Sequence, residues 1–316
     1  MLYKNTFKIL FSNGGLIWRV LLFLVCALGV LIGLGALILM PIHKVLVGAG
    51  FFVMISDAYY DFLNAVNLKQ LFVDIGDIVE SFFAIILDNI GQLLPYIIIF
   101  IFFVVFVCTL ITRFYTMSTT ICVNYYMNSN TKVKMSNNIF ASFGKNIKYL
   151  LAYAVTVLPI NLIIYGIVFF MLGLFELDGL LFAFAPFLII LTYTLLASLK
   201  TTLFGGWLPA IVCGNKGAFA SMKKGFVVPK RRFWQTFGNS FALYLTIIFI
   251  NFFVGLLTFG VGLSITIPAT CVTVCIFGLV SFYMATGQKY YVDSYNVIAP
   301  KTKELTDKFE NHKYIV

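Results

Sequence analysis

Residues 233–288 form a long stretch of this sequence without Asp, Glu, Lys or Arg. A helix needs about 20 residues to cross the roughly 30 Å hydrocarbon core of a bilayer, so the stretch is too long for one crossing. Glycines near its middle, within residues 258–262, indicate a turn between two helices. The stretch therefore predicts two consecutive membrane-spanning helices.

The amino-acid composition excludes a water-soluble fold. Hydrophobic residues make up 61% of the 316 residues and charged residues 11%, with a mean hydropathy of +0.99, whereas soluble domains are about 25% charged. A soluble chain of this length still exposes roughly a quarter of its unfolded surface, and this chain has too few polar residues to cover it. The many Phe and Tyr residues and the modest count of six Cys also exclude disordered, collagen-like and disulfide-scaffold classes.

The same length criterion, applied to the whole chain, predicts an all-α helical membrane bundle with six spans in a single membrane domain, residues 1–316. The first uncharged run is longer than the about 7–15 apolar residues of a secretory signal peptide, so we expect it to remain in the mature protein. The spans are expected at about residues 20–40, 90–112, 149–175, 179–199, 237–257 and 264–286.

The charges between the predicted spans alternate in sign. Residues 1–19, 113–148, 200–232 and 289–316 hold twenty of the twenty-two Lys and Arg residues. The other loops hold eight of the twelve acidic residues, six of them in residues 41–89. Because basic loops stay on the cytoplasmic side, the pattern predicts that both termini are cytoplasmic, including the tail from residue 289 onward.

The predicted extracytoplasmic loop, residues 41–89, is acidic and partly amphipathic. In its second half, residues 68–90, apolar side chains recur at helical spacing, and Asp74, Asp77 and Asp88 lie off the apolar face. Such a helix would either lie in the outer interface or extend the second span as a stalk.

Shorter apolar segments predict interfacial structure. Residues 45–55 are about half the length of a span, which favours a short interfacial or re-entrant segment. Each odd-numbered span also follows a segment that mixes aromatic and basic residues, at residues 7–13, 140–148 and 230–237. These segments indicate amphipathic helices at the cytoplasmic interface, and three weak parallel repeats of one such helix and two spans.

Small, basic and aromatic residues recur in three segments, LPAIV at residues 208–212, GAFASMKKGF at residues 217–226 and RFW at residues 232–234. This pattern resembles the cytoplasmic helix of YciC-like bacterial membrane proteins, a group that includes the membrane domain of some glycerophosphodiester phosphodiesterases. Residues 139–150 are similar to the corresponding segment of YesL-like proteins. The resemblance covers the later part of the chain and implies six spans and a helical fold, but no reaction. The long acidic loop after the first span departs from it.

No ionisable residue lies inside the predicted spans. Charged residues there usually mark ion or proton pathways, so their absence counts against a proton-coupled pump, an intramembrane carboxylate protease and a voltage sensor. Asn161, Asn251 and Tyr193 form the candidate intramembrane polar site. The two asparagines are more simply explained by hydrogen bonds across helices, at about 0.6 kcal/mol each.

No catalytic or metal-binding constellation is visible in the sequence. Cys271 and Cys275 share a helical face but lack further zinc ligands, and His43 and His312 are expected on opposite sides of the membrane. Nucleotide-binding and hydrolase motifs are also missing. We therefore expect a protein that is not an enzyme and has no cofactor.

A cluster of basic residues in the last cytoplasmic loop is the candidate contact for anionic lipids. It consists of Lys223, Lys224, Lys230, Arg231 and Arg232. Beside a span, these charges are explained more simply by orientation and by attraction to lipid head groups, at about 1 kcal/mol per charge, than by nucleic acid.

The sequence therefore predicts a non-enzymatic, multi-pass protein of a bacterial cytoplasmic membrane. We expect an envelope-associated or accessory role through contacts with lipid or with a protein partner, self-association included. The bacterial origin rests on the resemblance and on a bias toward Lys, Asn, Ile, Phe and Tyr. The alternative is a transporter or lipid-handling protein for an apolar or amphipathic cargo, and a cavity between the third and fifth spans would favour it.

Overall fold

The computed structural model describes residues 2–64, 68–136, 138, 147–172, 180–214 and 217–298. These residues are almost entirely helical. Six helices within them are long and apolar enough to cross a membrane, and each overlaps one of the predicted spans. The predicted all-α membrane bundle with six spans is confirmed.

Twelve helices and one hairpin can be assigned in the described part of the chain. The helices are α1 (Leu2–Ser12), α2 (Gly15–Gly48), α3 (Phe51–Asn64), α4 (Leu68–Asp88), α5 (Ile90–Phe102), α6 (Cys108–Ser129), α7 (Ile147–Leu172), α8 (Leu180–Phe204), α9 (Trp207–Gly214), α10 (Ala218–Gly225), α11 (Val227–Leu257) and α12 (Leu263–Thr286). A π-helical turn, Phe103–Val107, joins α5 to α6. An antiparallel hairpin, β1 (Tyr290–Tyr291) and β2 (Val297–Ile298), follows α12.

The chain divides into two compact units, and the smaller one covers Cys26–Thr109. Within it α3 packs against α4, and α4 packs against α5. The predicted amphipathic segment forms α4, and a break at Asn89 (φ −105°, ψ 14°) separates α4 from α5. Within residues 45–55, which were predicted to form a short interfacial or re-entrant segment, α2 ends at Gly48 and α3 begins at Phe51 after a turn.

The larger unit combines Met1–Val25 with Leu110–Val316. In it α11 packs between α8 and α12, while α1 and α9 also contact α12. All residues of α12 from Ile276 to Ala285 are buried. A helix that is apolar on every side is expected in such a central position. The glycine-rich turn predicted between the last two spans is present at residues 258–262.

Two glycines bring the turn between α8 and α9 into contact with the end of α10. A Cβ added to Gly206 would lie 2.6 Å from the carbonyl oxygen of Gly225, and a Cβ added to Gly225 would lie 2.7 Å from Trp207 Cα. Trp207 is buried and donates its Nε1–H to the carbonyl oxygen of Ala218 at 2.8 Å. Side chains larger than hydrogen at either glycine would push these backbones apart.

We expect Gly225→Ala to lower the free energy of unfolding by about 1–3 kcal/mol, because backbone atoms would have to move to admit the Cβ. Gly238→Ala is the matched control, since nothing lies within 4 Å of a Cβ added at Gly238 in α11. That control should be neutral or slightly stabilising. The apparent Tm of both purified variants in one detergent measures the difference, and equal values would contradict the close contact.

The hairpin after α12 is held by polar contacts. Tyr290 is buried, and its hydroxyl accepts a hydrogen bond from Asn5 Nδ2 in α1 at 2.8 Å. In the turn, the Asp293 carboxylate accepts hydrogen bonds from the side chain of Asn296 and the backbone N–H of Tyr295. These bonds hold the pKa of the Asp293 carboxyl below its usual value of 3.8.

Because the folded-state pKa of Asp293 is lowered, its hydrogen bonds stabilise the hairpin above about pH 4 and are lost as the pH falls through the folded-state pKa. We therefore expect the amide hydrogens of residues 290–298 to exchange with solvent faster in the Asp293→Ala variant than in the wild type at pH 7. The difference between the two proteins should disappear in acid. Ser294→Ala is the control at an exposed neighbouring position, and an Asp293→Ala effect that does not change with pH would refute this assignment.

Candidate functional site

Two cationic residues lie deeper in the helices than the sequence predicted. Lys200 was expected just after the fourth span, and it lies inside α8, which continues to Phe204. Its Nζ donates a hydrogen bond to Asn161 Oδ1 at 2.6 Å, and Asn161 is near the middle of α7. Arg113 likewise lies inside the long helix that starts at Ile90. Each predicted span was ended at its first charge, whereas the helices that contain these two spans continue past it.

Arg113 and Lys200 line one cavity of about 120 Å³ in the larger unit, and it is partly open to the outside. A single buried water needs only about 10–15 Å³ of such volume, so the cavity has room for several waters or a small chemical group. Its polar lining consists of Arg113, Thr116, Thr120, Tyr153, Lys200, Thr201, Tyr244 and Cys275. Its remaining lining consists of Val157, Ile160, Phe204, Gly205, Leu208, Pro209, Val274 and Gly278.

Helical spacing places the lining residues of α6 on one face. Arg113, Thr116 and Thr120 are separated by three and four residues, so their side chains lie one above the other. The hydroxyl of Thr116 donates to the carbonyl oxygen of Arg113 at 3.1 Å, and that of Thr120 donates to Thr116 at 2.6 Å. The two threonines therefore use their only donors inside the helix.

The Arg113 guanidinium lies over an aromatic ring. Its Cζ is 5.2 Å from the centre of the Tyr153 ring, at cation–π distance. The Tyr153 ring in turn packs edge-on against Trp207, with centroids 4.8 Å apart. Among the described residues, the buried Nε of Arg113 has no hydrogen-bond partner. A neutral ring face thus holds the guanidinium, and part of its hydrogen-bonding edge is unused.

No carboxylate lines the cavity. In the described part of the larger unit, Asp293 is the one acidic residue, and it lies in the hairpin, 4.0 Å from Lys8. Buried charges in proteins are normally paired, because removing an ion from water costs several kcal/mol. The cavity therefore carries positive charge that no described side chain neutralises.

The three residues of the predicted polar site do not form one site. Asn161 accepts the hydrogen bond of Lys200, whereas Asn251 donates to Thr270 Oγ1 in α12 at 3.2 Å. Both asparagines thus bond across helices, as expected. Neither they nor Tyr193 line the cavity.

Arg113 and Lys200 were missed as cavity residues, although the sequence carries a signal for them. No Gly or Pro follows Thr112 or Leu199 within five residues. Helices usually end near a Gly or Pro, so without one both helices can continue past the first charged residue.

A second polar cluster joins α6, α9 and α12. The Tyr283 hydroxyl lies 2.7 Å from Asn124 Oδ1 and 2.6 Å from Asn128 Oδ1, and the Cys213 thiol donates to Asn124 Oδ1 at 3.2 Å. One hydroxyl has one proton, so only one of the two amides can receive it, and the other must turn its NH₂ toward the oxygen. These bonds hold three helices together.

The predicted lipid-contact residues lie on α10 and at the start of α11. Four of the five are exposed, and Arg232 is half-buried. Arg231 donates to the carbonyl oxygen of Ala285 at 3.2 Å, and Arg232 donates to Gln235 Oε1 at 3.1 Å. At Arg232 the backbone leaves helical geometry (φ −142°, ψ 37°), which kinks α11. Their contact with lipid stays a prediction.

The six long apolar helices are those of a multi-pass helical membrane protein. No protein-family model, curated protein or solved structure matches the chain. The resemblance to YciC-like and YesL-like proteins therefore stays a prediction.

We expect Asn161→Leu to cost about 1–3 kcal/mol of unfolding free energy, because it removes the hydrogen-bond acceptor of a charged, largely buried ammonium. Asn251→Leu is the control of the same type. It removes a neutral bond but also the Asn251 Oδ1, which is buried without a partner in the described structure, so its net effect should be small. Thermal unfolding in one detergent compares them, and a larger loss for Asn251→Leu would contradict a stabilising Lys200–Asn161 bond.

Proposed function

We propose that this protein handles a lipid or another amphipathic molecule, which it binds in the cavity of the larger unit. The observation that carries the proposal is the mixed lining of the cavity, which combines charged and hydroxyl groups with apolar side chains. Ligand sites are usually concave and mostly apolar, with a few polar groups that fix orientation. An amphipath suits this lining, because its head group has polar partners and its chain has apolar ones.

The helices around the cavity support entry from the membrane. Val157 and Ile160 in α7 and Val274 in α12 supply part of the apolar lining, and both helices are long enough to cross a membrane. The cavity is partly open, so a bound acyl chain has space to extend beyond it. Leu208 and Pro209 come from α9, which the charge pattern assigns to the cytoplasmic side, and we therefore place the site toward the inner leaflet.

This proposal takes up the alternative function that the sequence left open. An accessory role through surface contacts, a bacterial origin and a location in the cytoplasmic membrane stay predictions of the sequence. The cavity provides a reason to prefer cargo binding, since a protein that acts only through its surface has no need of one.

The test is occupancy of the cavity by two amphipaths with the same acyl chain, a monoacylglycerol and the corresponding lysophosphatidic acid. Native mass spectrometry of the protein in a neutral detergent would count the bound molecules. We expect one tightly bound molecule per chain in the wild type. In Val274→Phe we expect affinity to fall about tenfold or more, equivalent to about 1.4 kcal/mol, because the ring fills the cavity.

Ile267→Phe is the matched control, since Ile267 lies on the same helix with 49% of its surface exposed. It should bind like the wild type. Absence of any bound amphipath in the wild type, or equal binding by Val274→Phe and the wild type, would refute the proposal.

A further inference from the structure

We infer that Arg113 and Lys200 bind an oxyanion in this cavity, so that the cargo is an amphipath with a phosphate head group. The inference rests on the proposed function and specifies its cargo. It narrows the sequence prediction of an apolar or amphipathic cargo to an anionic amphipath.

The charge balance of the cavity favours an anionic ligand. Arg113 and Lys200 both line it, and none of its lining residues is acidic. Their nearest recorded partners, the Tyr153 ring and the Asn161 amide, are neutral. A cationic ligand would be repelled here, whereas an anion would supply the missing counter-charge.

The two cations also supply most of the free hydrogen-bond donors of the cavity. Thr116 and Thr120 donate to helix carbonyls, and the single bond between the Thr201 and Tyr244 hydroxyls, 2.7 Å apart, uses one of their two protons. Lys200 uses one of its three donors on Asn161. A ligand therefore meets mainly N–H donors of charged groups, which match a group with several acceptor oxygens.

The two cations differ in a way that suits a phosphate. The Arg113 guanidinium lies over the Tyr153 ring, and its Nε is buried without a partner in the described structure. A guanidinium edge can bind two oxygens of one phosphate at once, and an ammonium adds a point charge beside it. The pair thus provides the recognition elements for one oxyanion, with apolar residues nearby for the chain.

The experiment uses the same pair of amphipaths, because lysophosphatidic acid is the monoacylglycerol with a phosphate added. We expect the wild type to bind lysophosphatidic acid about tenfold or more tightly than the monoacylglycerol. Lys200→Met and Arg113→Met should each abolish most of this preference, and Lys200→Arg should retain it. Lys134→Met, which removes an exposed cation just after α6 and outside the cavity, should leave the preference unchanged.

The outcomes separate the inference from the proposed function. If the wild type binds the two amphipaths with equal affinity, and Val274→Phe weakens the binding of both, the oxyanion site is refuted and cargo binding stands. A preference lost to the same extent in Lys134→Met would also overturn it. The wild-type comparison decides the matter even if Lys200→Met fails to fold. Inorganic phosphate binding as tightly as lysophosphatidic acid would support the cation pair but refute an amphipathic cargo.

Discussion

A bilayer core offers a protein no hydrogen-bond partners, and this constraint explains how the polar side chains are arranged. In α8, the hydroxyl of Thr194 donates to the carbonyl oxygen of Ile190, Ser198 donates to Thr194, and Thr202 donates to Ser198, at 2.6 to 2.8 Å. A hydroxyl can meet its needs within one helix in this way. Ammonium and guanidinium groups carry more donors than a helix has spare acceptors, so they must find partners on other helices.

Lys200 and Arg113 find such partners in different ways. Lys200 reaches an amide oxygen on the neighbouring helix, and Arg113 lies against a tyrosine ring that is itself held by Trp207. Both arrangements orient the cation without cancelling its charge. This is the physical basis for connecting the cavity with an anionic amphipath: the protein supplies position and donors, and the ligand would supply the negative charge.

Close backbone packing forms one wall of the same cavity. A Cβ on Gly278 of α12 would lie 3.0 Å from the carbonyl oxygen of Gly205, and both glycines line the cavity. Beside them, Gly206 contacts Gly225 at the end of α10. Small residues let membrane helices approach closely, and dispersion contacts then stabilise them where the hydrophobic effect between helices is weak. The packing that fixes α8, α9 and α12 therefore also fixes the groups around the ligand site.

The sequence by itself determined the class of fold, since uncharged runs of about 20 residues can be stable only as helices in lipid. It also determined α4, whose apolar spacing is regular, and the turn at residues 258–262, where glycines interrupt the last long run. Local patterns carry this information because helix formation depends on nearby residues. Tertiary structure alone decided that Asn161 and Asn251 serve different helix pairs, and that Arg113 and Lys200 share a cavity. Six helices supply that lining from distant parts of the chain, and the pairing of such residues depends on helix packing, which no local spacing records.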